Sequence, residues 1–141
     1  NGNSPIRVIL DRNGAISCDA KVFVSNPQHT LYFTSVERSD ISSQVTQIVV
    51  DKNATLAEIM SILYKRNITS VLVEGGATLL QNAIDQNLWD IARVETATFS
   101  LGNNGSTTAP SLPLMPSKHT KIGENNVDFY LNTPLVGVKN L

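Results

Sequence analysis

Residues 47–99 alternate between short apolar runs and segments of helical periodicity, and this alternation restricts the fold more than any other feature of the chain. Thr55 and Glu58 have the spacing of a capping box, and Asn67 suits the left-handed residue that ends a helix. Short connections between such elements favour right-handed parallel crossovers. The stretch therefore predicts a β-α-β-α-β unit. Its strands are expected at 47–50, 70–73 and 90–99, its first helix at 55–66 with Leu56, Ile59, Met60 and Leu63 as the apolar stripe, and its second helix around Leu79, Leu80, Ala83 and Ile84.

The segments on either side of this unit add further strands. Residues 6–10 and 31–34 are apolar runs bounded by turn residues, with an irregular stretch expected at 15–28. Residues 100–116 are predicted to form a long loop. Beyond this loop, Glu124-Asn125-Asn126 indicates the turn of an antiparallel hairpin. We therefore predict a single domain over 1–141, with an α/β fold in which a three-layer α/β/α sandwich surrounds a mixed, mainly parallel sheet.

The composition excludes several classes of protein. With 41% hydrophobic and 16% charged residues, the chain has the composition of a globular domain and not of a disordered protein. The net charge is −1 and the eleven Lys and Arg residues form no basic stripe, which argues against nucleic-acid binding. The apolar runs are too short to span a membrane. A single cysteine, Cys18, is typical of a reducing compartment such as the cytoplasm.

A pair of glycines between a predicted strand and a predicted helix is the most informative local motif. Glu74 ends the strand at 70–73, and Gly75 and Gly76 precede a helix whose free amides favour an anion. Ligands of open α/β sheets collect at the carboxyl ends of strands, where this turn lies. The hydroxyl of Thr78 could add a contact. Position alone leaves two alternatives open: a phosphate-binding turn, or glycines that only permit a tight turn.

Three short motifs, spread over nearly the whole chain, carry a resemblance to a known family. The first is Pro5-Ile6-Arg7-Val8-Ile9-Leu10-Asp11-Arg12, similar to a P-x-R-[VI]-[VI]-[LI]-D strand opening. The second is Ser70-Val71-Leu72-Val73-Glu74-Gly75-Gly76-Ala77 followed by Leu88-Trp89-Asp90, and the third is Leu101-Gly102 before the long loop. In this order they resemble the reductase domain of the bifunctional riboflavin-biosynthesis deaminase–reductase family.

The resemblance implies a dihydrofolate-reductase-like fold and NADPH-dependent reduction of 5-amino-6-(5-phosphoribosylamino)uracil, a phosphoribosylaminopyrimidine, to its ribitylamino form. It assigns no catalytic residue. Glu74 matches a position that contacts the sugar-phosphate substrate in the family. The positions expected to bind the cofactor are Gly75, Gly76, Ala77 and Thr78 along the phosphates, Arg12 at a 2′-phosphate, and Thr34 at the nucleotide; for Arg12 and Thr34 the alternative is an ordinary exposed loop residue.

The chain also departs from the family. Relatives carry W-x-T-[GS]-x-x-[AS]-R and T-[VI]-x-x-D-[DN]-P motifs ahead of the P-x-R motif, and neither is found in these 141 residues. The H-x-E and P-C-x-x-C motifs of the zinc deaminase half are missing as well, and His29 and His119 lack a second ligand at metal spacing. We therefore expect a C-terminal part of a longer reductase that contains no metal site and does not reduce substrate alone.

Other functions remain open at the level of sequence. The domain could be a non-catalytic module that binds a dinucleotide or phosphosugar. It could also serve mainly in dimerisation, because relatives pair through this sheet region and Val127, Phe129 and Leu131 alternate along an apolar strand. A pteridine or folate reductase is a weaker alternative, since one fold serves several substrates.

Overall fold

The computed structural model describes residues 4–100, 102, 105 and 107–132, which form two compact units that divide after Thr55. Leu101 of the third motif lies outside the described residues. The first unit contains β1 (Arg7–Leu10), α1 (Lys21–Val24), a 3₁₀ turn (Pro27–His29), β2 (Thr30–Thr34) and β3 (Thr46–Val49). The second contains α2 (Leu56–Lys65), α3 (Ala77–Asp85), β4 (Ile91–Thr96), β5 (Lys118–Ile122) and β6 (Asn125–Leu131).

The first unit is built on a parallel sheet in the order β1-β2-β3. Arg7 pairs with Thr30 at one end of the β1–β2 ladder, and Thr34 pairs with Val49 at the end of the β2–β3 ladder. The central strand β2 is almost wholly buried, as expected for a parallel strand between two neighbours. These three strands confirm the predicted runs to within one or two residues, and the parallel sheet with helices agrees with the predicted α/β class.

The core of the first unit lies between this sheet and the connections from β1 to β2 and from β2 to β3. Phe23 and Tyr32 are fully buried, with ring centroids 4.9 Å apart in an edge-to-face arrangement. The expectation of an irregular stretch at 15–28 was wrong in part, because the four-residue helix α1 carries Phe23 into this core. So short a helix has no periodicity to detect, and Asn26 ends the segment in a left-handed conformation (φ 54°).

The two longer helices of the second unit agree with the sequence pattern. Three residues of the predicted stripe on α2, Leu56, Ile59 and Leu63, are buried. Asn67 has φ 63°, and its N–H donates to the Tyr64 carbonyl at 2.9 Å, so the predicted left-handed ending is confirmed. Asn87, with φ 57°, ends α3 in the same way.

The strand predicted at 70–73 is not formed among the described residues. Ile68 to Gly76 contains neither helix nor strand, and Leu72 is 82% exposed. A strand is defined by its ladder of hydrogen bonds, and no described strand pairs with this segment. The expected parallel strand at 90–99 is also corrected, since β4 ends at Thr96 and pairs antiparallel with β6.

The second sheet is antiparallel, in the order β4-β6-β5. The predicted hairpin is confirmed, but its turn is displaced, because Ile122 pairs with Asn125 and leaves Gly123 (φ 61°) and Glu124 as the two connecting residues. Val127 in the central strand β6 is fully buried. In the part of the chain that the structure describes, no helix has the length and apolarity required to cross a bilayer.

Candidate functional site

Helix α3 begins at the predicted glycine pair, with Gly76 as its N-cap residue in an extended conformation. No side chain caps this end, and no acidic residue lies in the first turn. The Gly76 carbonyl accepts hydrogen bonds from the N–H groups of Leu79 and Leu80 at 3.0 and 3.2 Å. The amides of Ala77 and Thr78 precede them and have no acceptor within the helix. A helix start of this kind offers N–H donors and a positive dipole end to an anionic group.

The two glycines of the motif differ in what surrounds them. A β-carbon on Gly75 would lie 2.7 Å from Leu79 Cδ2 and 3.2 Å from Leu79 Cβ, so this position is restricted by the helix that follows. A β-carbon on Gly76 would meet nothing within 4 Å. Gly75 is therefore explained by packing alone, whereas the open space at Gly76 is compatible with the close approach of a ligand.

A cleft of about 590 Å³ opens beside the start of α3. One wall is a face of the helix and the other is the segment 108–111. The volume falls in the range of roughly 300–1,000 Å³ that is usual for small-molecule sites. Of the predicted site residues, Ala77 and Thr78 line this cleft, whereas Glu74 is exposed and, like Gly75 and Gly76, is not part of its lining.

Sequence reasoning missed three residues of the helix wall of this cleft. Gln81, Asn82 and Asp85 follow Thr78 at the i, i+3, i+4 and i+7 spacing that places side chains on one helix face. The helical spacing of these polar residues is visible in the sequence, beside the apolar residues that predicted the helix. The opposite wall, at residues 108–111, could not be identified because it is distant in sequence.

Arg12, predicted from the first motif, lies at the carboxyl end of β1 in the first unit. Its Nη2 donates to the Ala54 carbonyl at 2.5 Å, and its own carbonyl accepts hydrogen bonds from the amide and hydroxyl of Ser35 at 3.1 and 2.6 Å. Its Nε is buried and has no hydrogen-bond partner among the described residues. Arg12 is thus held in place, not a freely exposed loop residue, and keeps an unused donor.

Thr34 ends β2 near the same edge of the parallel sheet and is fully buried. Its hydroxyl donates to the Val36 carbonyl at 3.1 Å and accepts from the Val36 amide at 3.2 Å. The hydroxyl therefore closes the turn after the strand. A contact between Thr34 and a nucleotide stays a prediction, and it would require this turn to open.

Asp11, which precedes Arg12, organises the loop at this edge. Its carboxylate accepts hydrogen bonds from the amides of Ala15 and Ile16 at 3.0 and 2.9 Å and from the Tyr32 hydroxyl at 3.1 Å. Burial acts to raise the pKa of Asp11, but these hydrogen bonds, together with the charge of Arg38, outweigh it and lower the pKa below its ordinary value of 3.8. In the sequence, Asn13 and Gly14 form a turn signal after Asp11, but nothing there indicates the hydrogen bonds of its carboxylate.

The contacts of Asp11 predict acid sensitivity in the first unit. A carboxylate whose pKa is lowered on folding stabilises the fold above its unfolded pKa, and the stabilisation is lost as the pH falls through the folded value. We expect Asp11→Asn to lower the free energy of unfolding by about 1–3 kcal/mol at pH 7. The difference from the wild type should shrink as the pH falls below about 4. Urea unfolding at several pH values measures this, and a difference independent of pH would contradict it.

The predicted site residues fall into two groups, one in each unit. Arg12 and Thr34 lie at the carboxyl edge of the parallel sheet of the first unit, and Glu74 to Thr78 lead into α3 in the second. Among the described residues, no group of His, Cys, Asp and Glu side chains is arranged to hold a metal ion.

Comparison with known proteins reveals clear relatives. The riboflavin biosynthesis protein RibD of Haemophilus influenzae is 34% identical over 103 residues, which cover 71% of this chain and 27% of that protein. The 2,5-diamino-6-ribosylamino-4(3H)-pyrimidinone 5′-phosphate reductase of Archaeoglobus fulgidus is 25% identical over 111 residues, or 74% of this chain and 50% of the relative. The chain thus spans between about a quarter and a half of the length of these two proteins.

The fold has a counterpart among solved structures. The diaminohydroxyphosphoribosylaminopyrimidine deaminase/5-amino-6-(5-phosphoribosylamino)uracil reductase of Thermotoga maritima is similar with a TM-score of 0.72 and 26% identity, over 91% of this chain and 38% of that one. This agrees with the expected dihydrofolate-reductase-like α/β fold. Residues 1–128 match the family described as the RibD C-terminal domain. The chain therefore belongs to the RibD C-terminal domain family.

Proposed function

We propose that this chain is the reductase part of an enzyme of riboflavin biosynthesis, which reduces 5-amino-6-(5-phosphoribosylamino)uracil to its ribitylamino form with NADPH. The observation that carries the proposal is the uncapped start of α3 behind Gly76, in a chain of the RibD C-terminal domain family. The reductases named among its relatives support the type of reaction.

The residues present fit a phosphorylated dinucleotide. The free amides of Ala77 and Thr78 suit a phosphate, and the space at Gly76 leaves room for it to approach the backbone. Gly75 supports this turn through its close packing on Leu79. In the first unit, taken by itself, the guanidinium of Arg12 suits an anionic group, and we propose it for a 2′-phosphate of the kind that distinguishes NADPH from NADH. Thr34, in the same unit as Arg12, is proposed for a nucleotide contact, which would require the turn that its hydroxyl closes to open.

Glu74 is proposed to bind the sugar of the pyrimidine substrate. It is exposed directly before the glycine pair, and a carboxylate there can accept hydrogen bonds from ribose hydroxyls. NADPH supplies the hydride when it is bound, and the contribution of the protein is alignment and electrostatics. No described residue is assigned as a proton donor.

The proposal is tested by calorimetric titration with NADPH and NADH, followed by an assay of NADPH oxidation in the presence of the pyrimidine substrate. We expect this chain to bind NADPH more tightly than NADH and to catalyse no substrate-dependent oxidation, because the W-x-T and T-[VI]-x-x-D motifs are not found in its 141 residues. A protein that joins this chain to these two motifs should catalyse it. NADPH binding without oxidation in that protein would favour the non-catalytic binding module.

A homodimer is part of the proposal. Ile91 and Leu131 pair across β4 and β6, and although both are apolar they are 61% and 42% exposed. Such a patch on a sheet is a natural contact surface for a second copy. Sedimentation at increasing protein concentration tests this, and a monomer at every concentration would contradict it.

We propose a cytoplasmic location, in keeping with the single cysteine.

A further inference from the structure

The two walls of the cleft are joined by one side chain, that of Gln81. Its Oε1 accepts a hydrogen bond from the Ser111 amide at 2.8 Å, and its Nε2 lies 3.5 Å from the Ser111 carbonyl. The same Nε2 donates to Asp85 Oδ1 at 2.8 Å, one helical turn further along α3. Because Asp85 accepts from the nitrogen, the amide is oriented with its oxygen toward the Ser111 N–H group.

The segment that Gln81 holds has little else to fix it. Residues 107–116 contain no helix or strand, and Pro110, Pro113 and Pro116 have no N–H group to donate. Among the described residues, the hydrogen bonds that tie 107–116 to other parts of the second unit are those of Gln81. Gln81 and Ser111 are 30 positions apart in sequence, so this contact closes a long loop onto the helix.

We propose that Gln81 is a positioning residue for the cofactor site. It holds residues 108–111 against α3, and these residues form the wall of the cleft opposite Ala77 and Thr78, where the free amides lie. The inference rests on the proposed function, because it takes NADPH as the ligand. Loss of the Gln81 contact should let the wall move away, so that binding must also order the loop and becomes weaker.

The test combines two measurements on the same variants. Gln81→Ala removes both bonds to Ser111, whereas Gln86→Ala is a matched control, since the Gln86 Nε2 donates to Asn82 Oδ1 at 2.8 Å within the helix and does not contact the loop. The order of the loop is measured by the ¹⁵N heteronuclear NOE of Ser111, without ligand. NADPH affinity is measured by calorimetry, and thermal unfolding verifies that both variants are folded.

We expect Gln81→Ala to lower the NOE of Ser111 and to weaken NADPH binding about three- to tenfold, the usual range for one or two lost hydrogen bonds. Gln86→Ala should change neither. Gln81→Glu keeps an oxygen that can accept from the Ser111 amide, but it replaces the Nε2 donor beside Asp85 with a second carboxylate oxygen. We expect the repulsion between the two carboxylates to lower the Ser111 NOE at neutral pH. The NOE should recover when the glutamate is protonated below about pH 5.

The outcomes separate this inference from the proposed function. An unchanged Ser111 NOE in Gln81→Ala would show that Gln81 does not hold the loop. A lowered Ser111 NOE with unchanged NADPH affinity in Gln81→Ala would contradict the positioning role, but it would not contradict the proposed NADPH site. If the wild type itself binds no NADPH, the proposed function fails, and the positioning role fails with it.

Discussion

Replacing Gly76 with aspartate is expected to remove NADPH binding, with a loss of about 100-fold or more in affinity. The new carboxylate would lie at the N-cap of α3 and accept the amide hydrogens that the phosphate needs. It would also repel that phosphate, and two unit charges about 4 Å apart near a protein surface interact by about 4 kcal/mol. Calorimetric titration of the wild type and the variant measures the effect.

The variant is informative because it should not damage the fold. Aspartate is among the best N-cap residues, and a β-carbon at position 76 meets nothing within 4 Å, so we expect thermal unfolding at or above the wild-type temperature. Gln86→Glu is a matched control, since it adds the same charge at the C-cap of the same helix. Wild-type affinity in the Gly76→Asp variant would show that the phosphate does not bind at this turn.

The largest effect on stability is expected from Phe23→Ala, which should lower the free energy of unfolding by about 3–5 kcal/mol. The ring is fully buried, meets Tyr32 edge-to-face at 4.9 Å, and has the Arg38 guanidinium carbon 5.7 Å from its centroid. Ile41 and Val45 belong to the same cluster. The substitution removes the aromatic contact and leaves a cavity behind α1.

Urea unfolding followed by circular dichroism measures this loss. Val24→Ala is the control, because Val24 is the next residue of α1 but is 60% exposed, and its truncation should cost less than about 0.5 kcal/mol. Equal losses in the two variants would mean that α1 does not pack on the sheet as described. A loss below about 1 kcal/mol in Phe23→Ala would lead to the same conclusion.

Elements defined by neighbouring residues could be predicted from the sequence. Helix α2 and its end at Asn67 depend on an apolar stripe and a residue that tolerates positive φ, and both are encoded within 13 positions, from Thr55 to Asn67. The hairpin of β5 and β6 was predicted for the same reason, although its turn was displaced. The start of α3 at the glycine pair also follows from local sequence.

The segment at 70–73 shows where local pattern is insufficient. Its apolar, β-branched residues favour an extended backbone, but a strand also requires a hydrogen-bonded neighbour. The described strands pair within two separate sheets, and none of them pairs with this segment. The antiparallel pairing of β4 likewise depends on β6, whose residues follow more than 25 positions later.

The candidate site divides along the same line. Gly76 and Thr78 were predicted from the residues themselves and Ala77 from the resemblance, and the helix start on which these predictions depend is a matter of backbone geometry over a few residues. Three other features could not be predicted from the sequence. They are the hydrogen bond between Gln81 and Ser111, the buried Nε of Arg12, and the three hydrogen bonds to Asp11. These contacts depend on which groups, distant in sequence, the fold brings within about 3 Å of each other, as a hydrogen bond requires. The spacing of residues along the sequence does not reveal that distance. The sequence by itself determined the two longer helices, most of the strands and the glycine turn that opens α3. Only the tertiary structure decided the sheet pairing, the second wall of the cleft and the side chains that hold it, because these depend on contacts between residues distant in sequence.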